Sequence, residues 1–130
     1  MNTTTNTTIQ LAAIAIELAP GERYSGAVLD ANGLIAHHLI LLPTRPEVRK
    51  NWDDAKAWAS SVGGDLPSPQ EQSLLFANCR DALPKAWCWS NKEYEEDASY
   101  AWFCLFDDGY QDDTHKSYEG SAVAVRRLIP

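Results

Sequence analysis

The sequence is poor in the residues that most metal and nucleophile chemistry uses. It has three histidines and three cysteines in 130 residues. Cys79, Cys88 and Cys104 include no Cys-x-x-Cys pair, so the usual zinc and dithiol spacings are missing. Cys88 and Cys104 lie in aromatic runs, where a thiol serves as a small buried hydrophobe. Free thiols in a reducing compartment are the expectation, and a disulfide is the alternative. His37 and His38 are adjacent, so on a strand they face opposite ways and cannot jointly hold one ion. No Gly-x-Ser-x-Gly elbow and no Cys/His pair with an orienting acid are evident. Gly63-Gly64 lacks phosphate-loop context. The acids at 107–113 lack the alternating register and terminal Glu of a calcium loop. These absences point away from an enzyme and away from a bound metal or cofactor.

Long hydrophobic runs are also missing. The apolar stretch at residues 9–16 is too short to span a bilayer. No Lys or Arg precedes it, as a secretory signal requires. A cytoplasmic protein without a membrane partner is the expectation. Residues 1–8 are rich in Asn and Thr and read as a disordered segment. Residues 9–130 read as a single domain.

Basic residues are scarce in one region only. Residues 91–120 hold nine acids against Lys92 and Lys116, so the whole formal charge of −7 lies there. Such a surface repels phosphate backbones, which excludes direct nucleic-acid binding and suits a basic protein partner. The candidate partner-binding residues are Glu93, Tyr94, Glu95, Glu96, Asp97, Asp107, Asp108, Tyr110, Asp112 and Asp113.

Several local signals place secondary structure. Residues 9–18 are apolar and β-branched, as in a strand. Asn32-Gly33 between two apolar runs predicts a β-hairpin over residues 27–42. The continuous run Leu39-Ile40-Leu41-Leu42 predicts a central strand covered on both faces. Asn51 reads as an N-cap, with Asp53-Asp54 in the first turn. Trp52, Ala55, Ala59 and Val62 recur at helical spacing, and Gly63 ends that helix. Ser68, Pro69 and Glu71 form a capping-box signature for a second helix over residues 69–80. Residues 86–90 and 100–106 are aromatic-rich strand candidates. Residues 91–99 and 111–119 read as acidic loops, and residues 121–129 as a closing strand. Five tryptophans are expected mostly in the core, with Trp52 and Trp102 largely buried and Trp89 at least half buried. Arg126 and Arg127 should point to opposite faces, one of them toward a buried acid.

The order of these landmarks carries a resemblance. Trp52…Trp58-Ala59, Gly64-Asp65-Leu66-Pro67-Ser68…Glu71, Trp89-Ser90, Ala101-Trp102 and Val125-Arg126-Arg127 together resemble C-type-lectin-like domains. The domains in question occur in phage and prophage proteins and at the C-terminus of bacterial collagen-like adhesins. The resemblance implies an α+β fold with a predominantly antiparallel sheet, two helices and long acidic loops. It also implies N- and C-terminal strands side by side. The calcium-binding Glu-Pro-Asn, Gln-Pro-Asp and Trp-Asn-Asp triplets of the calcium-dependent lectins do not occur in this sequence.

Charge and resemblance together imply a non-enzymatic phage or prophage accessory protein inside the host bacterial cell, or associated with the virion. Its acidic loops would engage a host protein with a basic surface. Inhibition of a nucleic-acid-binding defence complex, as by an anti-CRISPR protein, is one such activity. The alternative is a receptor- or carbohydrate-recognition domain of a phage tail or surface protein.

Overall fold

The computed structural model describes residues 5–130. It is a small α+β protein with two helices and two three-stranded antiparallel sheets, ordered β1-β2-β6 and β3-β4-β5. The strands are β1 (Arg23–Leu29), β2 (Ile35–Leu41), β3 (Trp87–Glu93), β4 (Tyr100–Leu105), β5 (Tyr110–His115) and β6 (Val125–Leu128). Helices α1 (Trp52–Ser61) and α2 (Pro69–Asn78) lie between β2 and β3 in the chain. No helix among the described residues is long and apolar enough to cross a membrane.

The predicted hairpin forms as β1 and β2, and Gly33 takes φ +79° at its turn, a conformation that a Cβ would strain. Strand β2 is central, and Leu39, Ile40 and Leu41 are almost wholly buried between its two neighbours and the layers above and below. Asn51 caps α1 by accepting from the Asp54 amide. Ser68 and Glu71 close the capping box of α2, whose regular turns end at Asn78 and pass into a 3₁₀ turn at Arg80–Ala82.

Two cores flank the second sheet. Leu39, Leu41, Leu75, Cys79, Cys88, Cys104 and Val125 form one, facing α2. Trp52, Ala55, Ala59, Leu66, Trp89 and Ala101 form the other, facing α1. The segment Ala122-Val123-Ala124-Val125 stitches them together. Its alanines enter the α1 core and its valines the α2 core, as expected where extended side chains alternate. Trp52 and Trp89 also exchange polar ends. The Trp52 indole donates to the Ser90 carbonyl at 2.8 Å and the Trp89 indole to the Lys50 carbonyl at 2.9 Å.

Several expectations are corrected, and one falls partly outside the described residues. Residues 9–18 form no strand and are largely exposed, with Ile9 65% and Leu11 72% accessible. Apolar content does not make a strand without a ladder partner, and β2 already has a neighbour on each edge. The proposed disordered segment falls partly on residues 1–4, outside the described residues; residues 5–8 are exposed and carry no regular structure. The C-terminal strand is confined to Val125–Leu128 and pairs with β2, not with the first strand. Residues 111–115, read as part of an acidic loop, lie in strand β5, which begins at Tyr110, and residues 91–93 belong to β3. Aspartate disfavours strands, but at a sheet edge its carboxylate keeps contact with water. Trp102 is buried for the greater part, as expected, but less fully than Trp52 and Trp89. It shares a face of β4 with Cys104 but lies past the end of the core, opposite Asp113 and edge-on to Tyr94 at 5.7 Å.

Arg126 and Arg127 do diverge, and each finds an acid. Arg126 holds Glu22 at 2.9 Å. Arg127 forks onto the buried Glu71 through two contacts of 2.7 Å and reaches Asp65 at 2.8 Å. His37 joins Glu71 at 2.7 Å, while His38 turns the other way to the Tyr24 hydroxyl at 2.9 Å. Burial alone would raise the Glu71 carboxyl; the Arg127 guanidinium, the Ser68 amide and His37 outweigh it and hold the group at about 2.

Two tests follow from this packing. Trp89→Ala should cost about 3–5 kcal/mol in urea melts through lost burial and cavity formation, and Trp102→Ala under about 2 kcal/mol. Glu71 is depressed in the folded state, so its contribution is full above its ordinary value of 4.5 and is lost as pH falls toward about 2. Urea midpoints measured from pH 6 to pH 3 should therefore fall, and Glu71→Gln should reduce that slope.

Candidate functional site

The second sheet carries all the acidic candidates, and its topology separates them. Strand β4 runs between two turns, so the turns lie at opposite ends of the meander, about 20 Å apart. Tyr94, Glu95, Glu96 and Asp97 form the β3–β4 turn, with Glu93 at the end of β3. Asp107 and Asp108 form the β4–β5 turn, closed by Gly109 at φ +83°. Tyr110, Asp112 and Asp113 lie on β5, which is an edge strand. The acids thus run as a stripe: one turn, the edge strand, the other turn.

Alternation on β5 divides the stripe between two faces. Asp112 sits opposite Phe103 and Asp113 opposite Trp102. Tyr110 and Asp112 share one face, and the Tyr110 hydroxyl donates to Asp112 at 2.7 Å. Asp113 shares the other face with Trp102, whose indole donates to Glu95 at 3.2 Å. The expected continuous loop surface is therefore two surfaces meeting at an edge.

Hydrogen bonds and neighbouring charges shift several of these acids. The hydrogen bond and charge of Lys116 hold Glu93 below the usual carboxylate range. The Trp102 indole does the same for Glu95, and the Ser99 hydroxyl and amide for Asp97. Asp112 is lowered by the Tyr110 hydroxyl. Asp113 moves the other way, raised by partial desolvation and then by the charge of Asp112 beside it. Hydrogen bonds to Glu96 and Asp112 raise the phenols of Tyr94 and Tyr110 respectively. Lys116 and Lys92 partly neutralise Glu93 and Glu95. Among the described residues, Glu96, Asp97, Asp107, Asp108, Asp112 and Asp113 make no ion pair.

Two concavities flank the stripe. The first, about 690 Å³, is an open groove between the α2 N-terminus and the β3–β4 turn. It gathers Glu93, Tyr94, Glu95, Glu96 and Asp97 beside Trp52, Ser68 and Pro69. Lys56 and Lys116 sit over the Trp52 ring at 3.6 and 4.2 Å. The second, about 470 Å³, lies on the Tyr110 face, with Trp87, Phe103 and Leu105 as its floor and Tyr118 and Glu119 at its mouth. The Trp87 ring packs on Gly120, where an added Cβ would come within 2.3 Å of it. Trp87, Phe103, Tyr118, Glu119 and Lys116 were not singled out as site residues from the sequence. The alternating Trp87 and Trp89, and Phe103 and Leu105, were the available signal, but strand pairing was needed to bring them together.

The remaining chemistry-bearing groups serve packing. Cys79, Cys88 and Cys104 are free and buried. Burial pushes Cys88 up to about 12 and Cys104 to about 11, so both are protonated thiols at neutral pH. Among the described residues no group of three His, Cys, Asp or Glu is placed to hold a metal ion.

The Tyr110–Asp112 contact can be tested alone. Tyr110→Phe should let the Asp112 carboxyl titrate higher, toward its ordinary range, while leaving Glu93 unchanged; side-chain carboxyl NMR titration reads both. Compared with known protein families and with curated proteins, the chain matches no family model and no curated sequence.

Proposed function

We propose that this protein is a non-enzymatic binding module whose acidic edge engages a basic protein surface. The observation that carries the reading is the display of the whole net charge of −7 by one short region, along a free sheet edge and the turns at its two ends. Charge of one sign on an exposed edge steers a basic partner and competes with nucleic acid for it. The fold reading that goes with this is C-type-lectin-like. It is supported by two helices that precede aromatic strands in chain order, although β6 pairs with β2 and not with β1. A phage or prophage accessory protein acting in the host cell on a defence complex of the CRISPR type fits this surface. The second concavity favours the alternative, a receptor- or carbohydrate-recognition domain, because aromatic floors also receive sugar rings.

Charge reversal separates the two ends of the stripe. Glu95→Lys with Glu96→Lys, and Asp112→Lys with Asp113→Lys, should each weaken capture of a basic partner, and the fourfold variant should abolish it. Unfolding midpoints should change little, because exposed charges contribute little to stability. Wild-type capture should fall as salt rises from about 0.05 to 0.5 M, as the Debye length shrinks. Capture by the fourfold variant at wild-type strength would reduce the acidic edge to a solubility device.

A further inference from the structure

The aromatic concavity on the Tyr110 face has a chemistry that the charge stripe alone does not explain. Its floor is Trp87, Phe103 and Leu105, and Tyr110 and Tyr118 stand at its mouth, 56% and 61% exposed. Trp87 and Phe103 meet edge to face, with centroids 5.3 Å apart. Large exposed rings are unfavourable in water unless something covers them. Two rings elsewhere carry the chain's own cations: Lys56 and Lys116 lie over Trp52, and Arg80 over Phe76 at 3.9 Å. Among the described residues, no Lys or Arg lines the aromatic concavity.

The rim of the concavity is acidic. Glu119 lines it and makes no ion pair among the described residues. Asp112 is bound to the Tyr110 hydroxyl, and the Asp108 carboxylate accepts from the Tyr110 amide at 3.0 Å. The Tyr110 phenol accordingly feels the charges of Asp112, Asp113 and Asp108. Aromatic faces and carboxylates attract the same ligand, a cation that is easily stripped of water. Guanidinium meets that description better than ammonium, because it is planar, weakly hydrated and able to stack on a ring while donating to carboxylates. A volume of about 470 Å³ accommodates one such side chain with room for its flanking backbone.

We propose that the concavity bounded by Trp87, Phe103, Tyr110, Tyr118 and Glu119 is the seat of an arginine side chain presented by the basic partner protein. The inference rests on the acidic-edge reading and deepens it. The stripe steers the partner, and the aromatic seat anchors one residue of it. Buried aromatic and arginine contacts are where interfaces concentrate their binding energy.

The test uses the full chain and a nine-residue peptide alternating glycine and arginine. Its lysine counterpart, its citrulline counterpart and a neutral glucose oligomer serve as comparisons. Binding is read by NMR shifts of backbone amides and indole N–H groups. The arginine peptide should shift the Trp87 indole and the Tyr110 and Tyr118 amides, and bind several-fold more tightly than the lysine peptide. The citrulline peptide, which keeps the shape without the charge, should leave those signals in place. Tyr118→Ala and Glu119→Gln alter exposed positions and should each weaken arginine-peptide binding by about fivefold. Equal binding of the citrulline peptide, or occupation of the concavity by the glucose oligomer, overturns the inference. So does the absence of any shift. Shifts confined to the groove at residues 93–97, insensitive to Tyr118→Ala, overturn the arginine seat while leaving the acidic-edge reading intact. Loss of partner capture on charge reversal tests that reading separately.

Discussion

The carboxylate of Glu71 is the point on which the arrangement of elements depends. It is 2% exposed, yet all its partners come from different parts of the chain. One oxygen accepts from the Ser68 amide and the other from His37, while Arg127 forks across both. The start of α2, the centre of β2 and the end of β6 are thereby fixed to one another. A buried charge pair of this kind is not a large net source of stability, since desolvation offsets much of its attraction. Its effect is on choice: any packing that separates Arg127 from Glu71 leaves an uncompensated charge inside the protein.

That constraint reaches the candidate site through the loop at 64–68. Arg127 also holds Asp65 and the Leu66 carbonyl. The Asn91 amide donates to the Pro67 carbonyl, and the Asn91 side chain to Asp65. β3 is drawn away from β4 at this point, and the pairing register slips between Trp89 and Glu93. The slip lets the β3–β4 turn project beside Ser68 and Pro69, forming the acidic groove. A core ion network therefore helps to shape a groove that it borders through Ser68 and Asn91.

The acidic edge strand answers two physical demands at once. β5 offers an unpaired ladder edge, which invites strand addition by another chain. Aspartates at 112 and 113 discourage that pairing, and the same charges create the field that attracts a basic surface. The aromatic side chains divide along similar lines. Trp52 and Trp89 are buried and hydrogen-bonded across the α1–β3 contact, whereas Trp87 spends one face on Gly120 and leaves the other side of its sheet face accessible.

Local chemistry was legible in the sequence because it depends on near neighbours. Asn51, Ser68 with Glu71, Gly33 and Gly63 act over three or four residues, and the starts of both helices, the end of α1 and the hairpin turn fall where these residues place them. The run at 39–42 marked the central strand, because only a strand covered on both faces can bury consecutive apolar side chains. The segregation of charge into residues 91–120 was likewise a property of the chain alone. Tertiary structure decided the rest. Residues 9–18 look like a strand but lack a ladder partner. Residues 111–115 look like a loop but find one in β4. Glu71 read as a capping residue, and only the approach of β2 and β6 made it the acceptor for His37 and Arg127. The site was divided in the same way. Period-two alternation sends Asp112 and Asp113 to opposite faces, and strand register, which no local signal encodes, places Phe103, Trp87 and Tyr110 around one concavity.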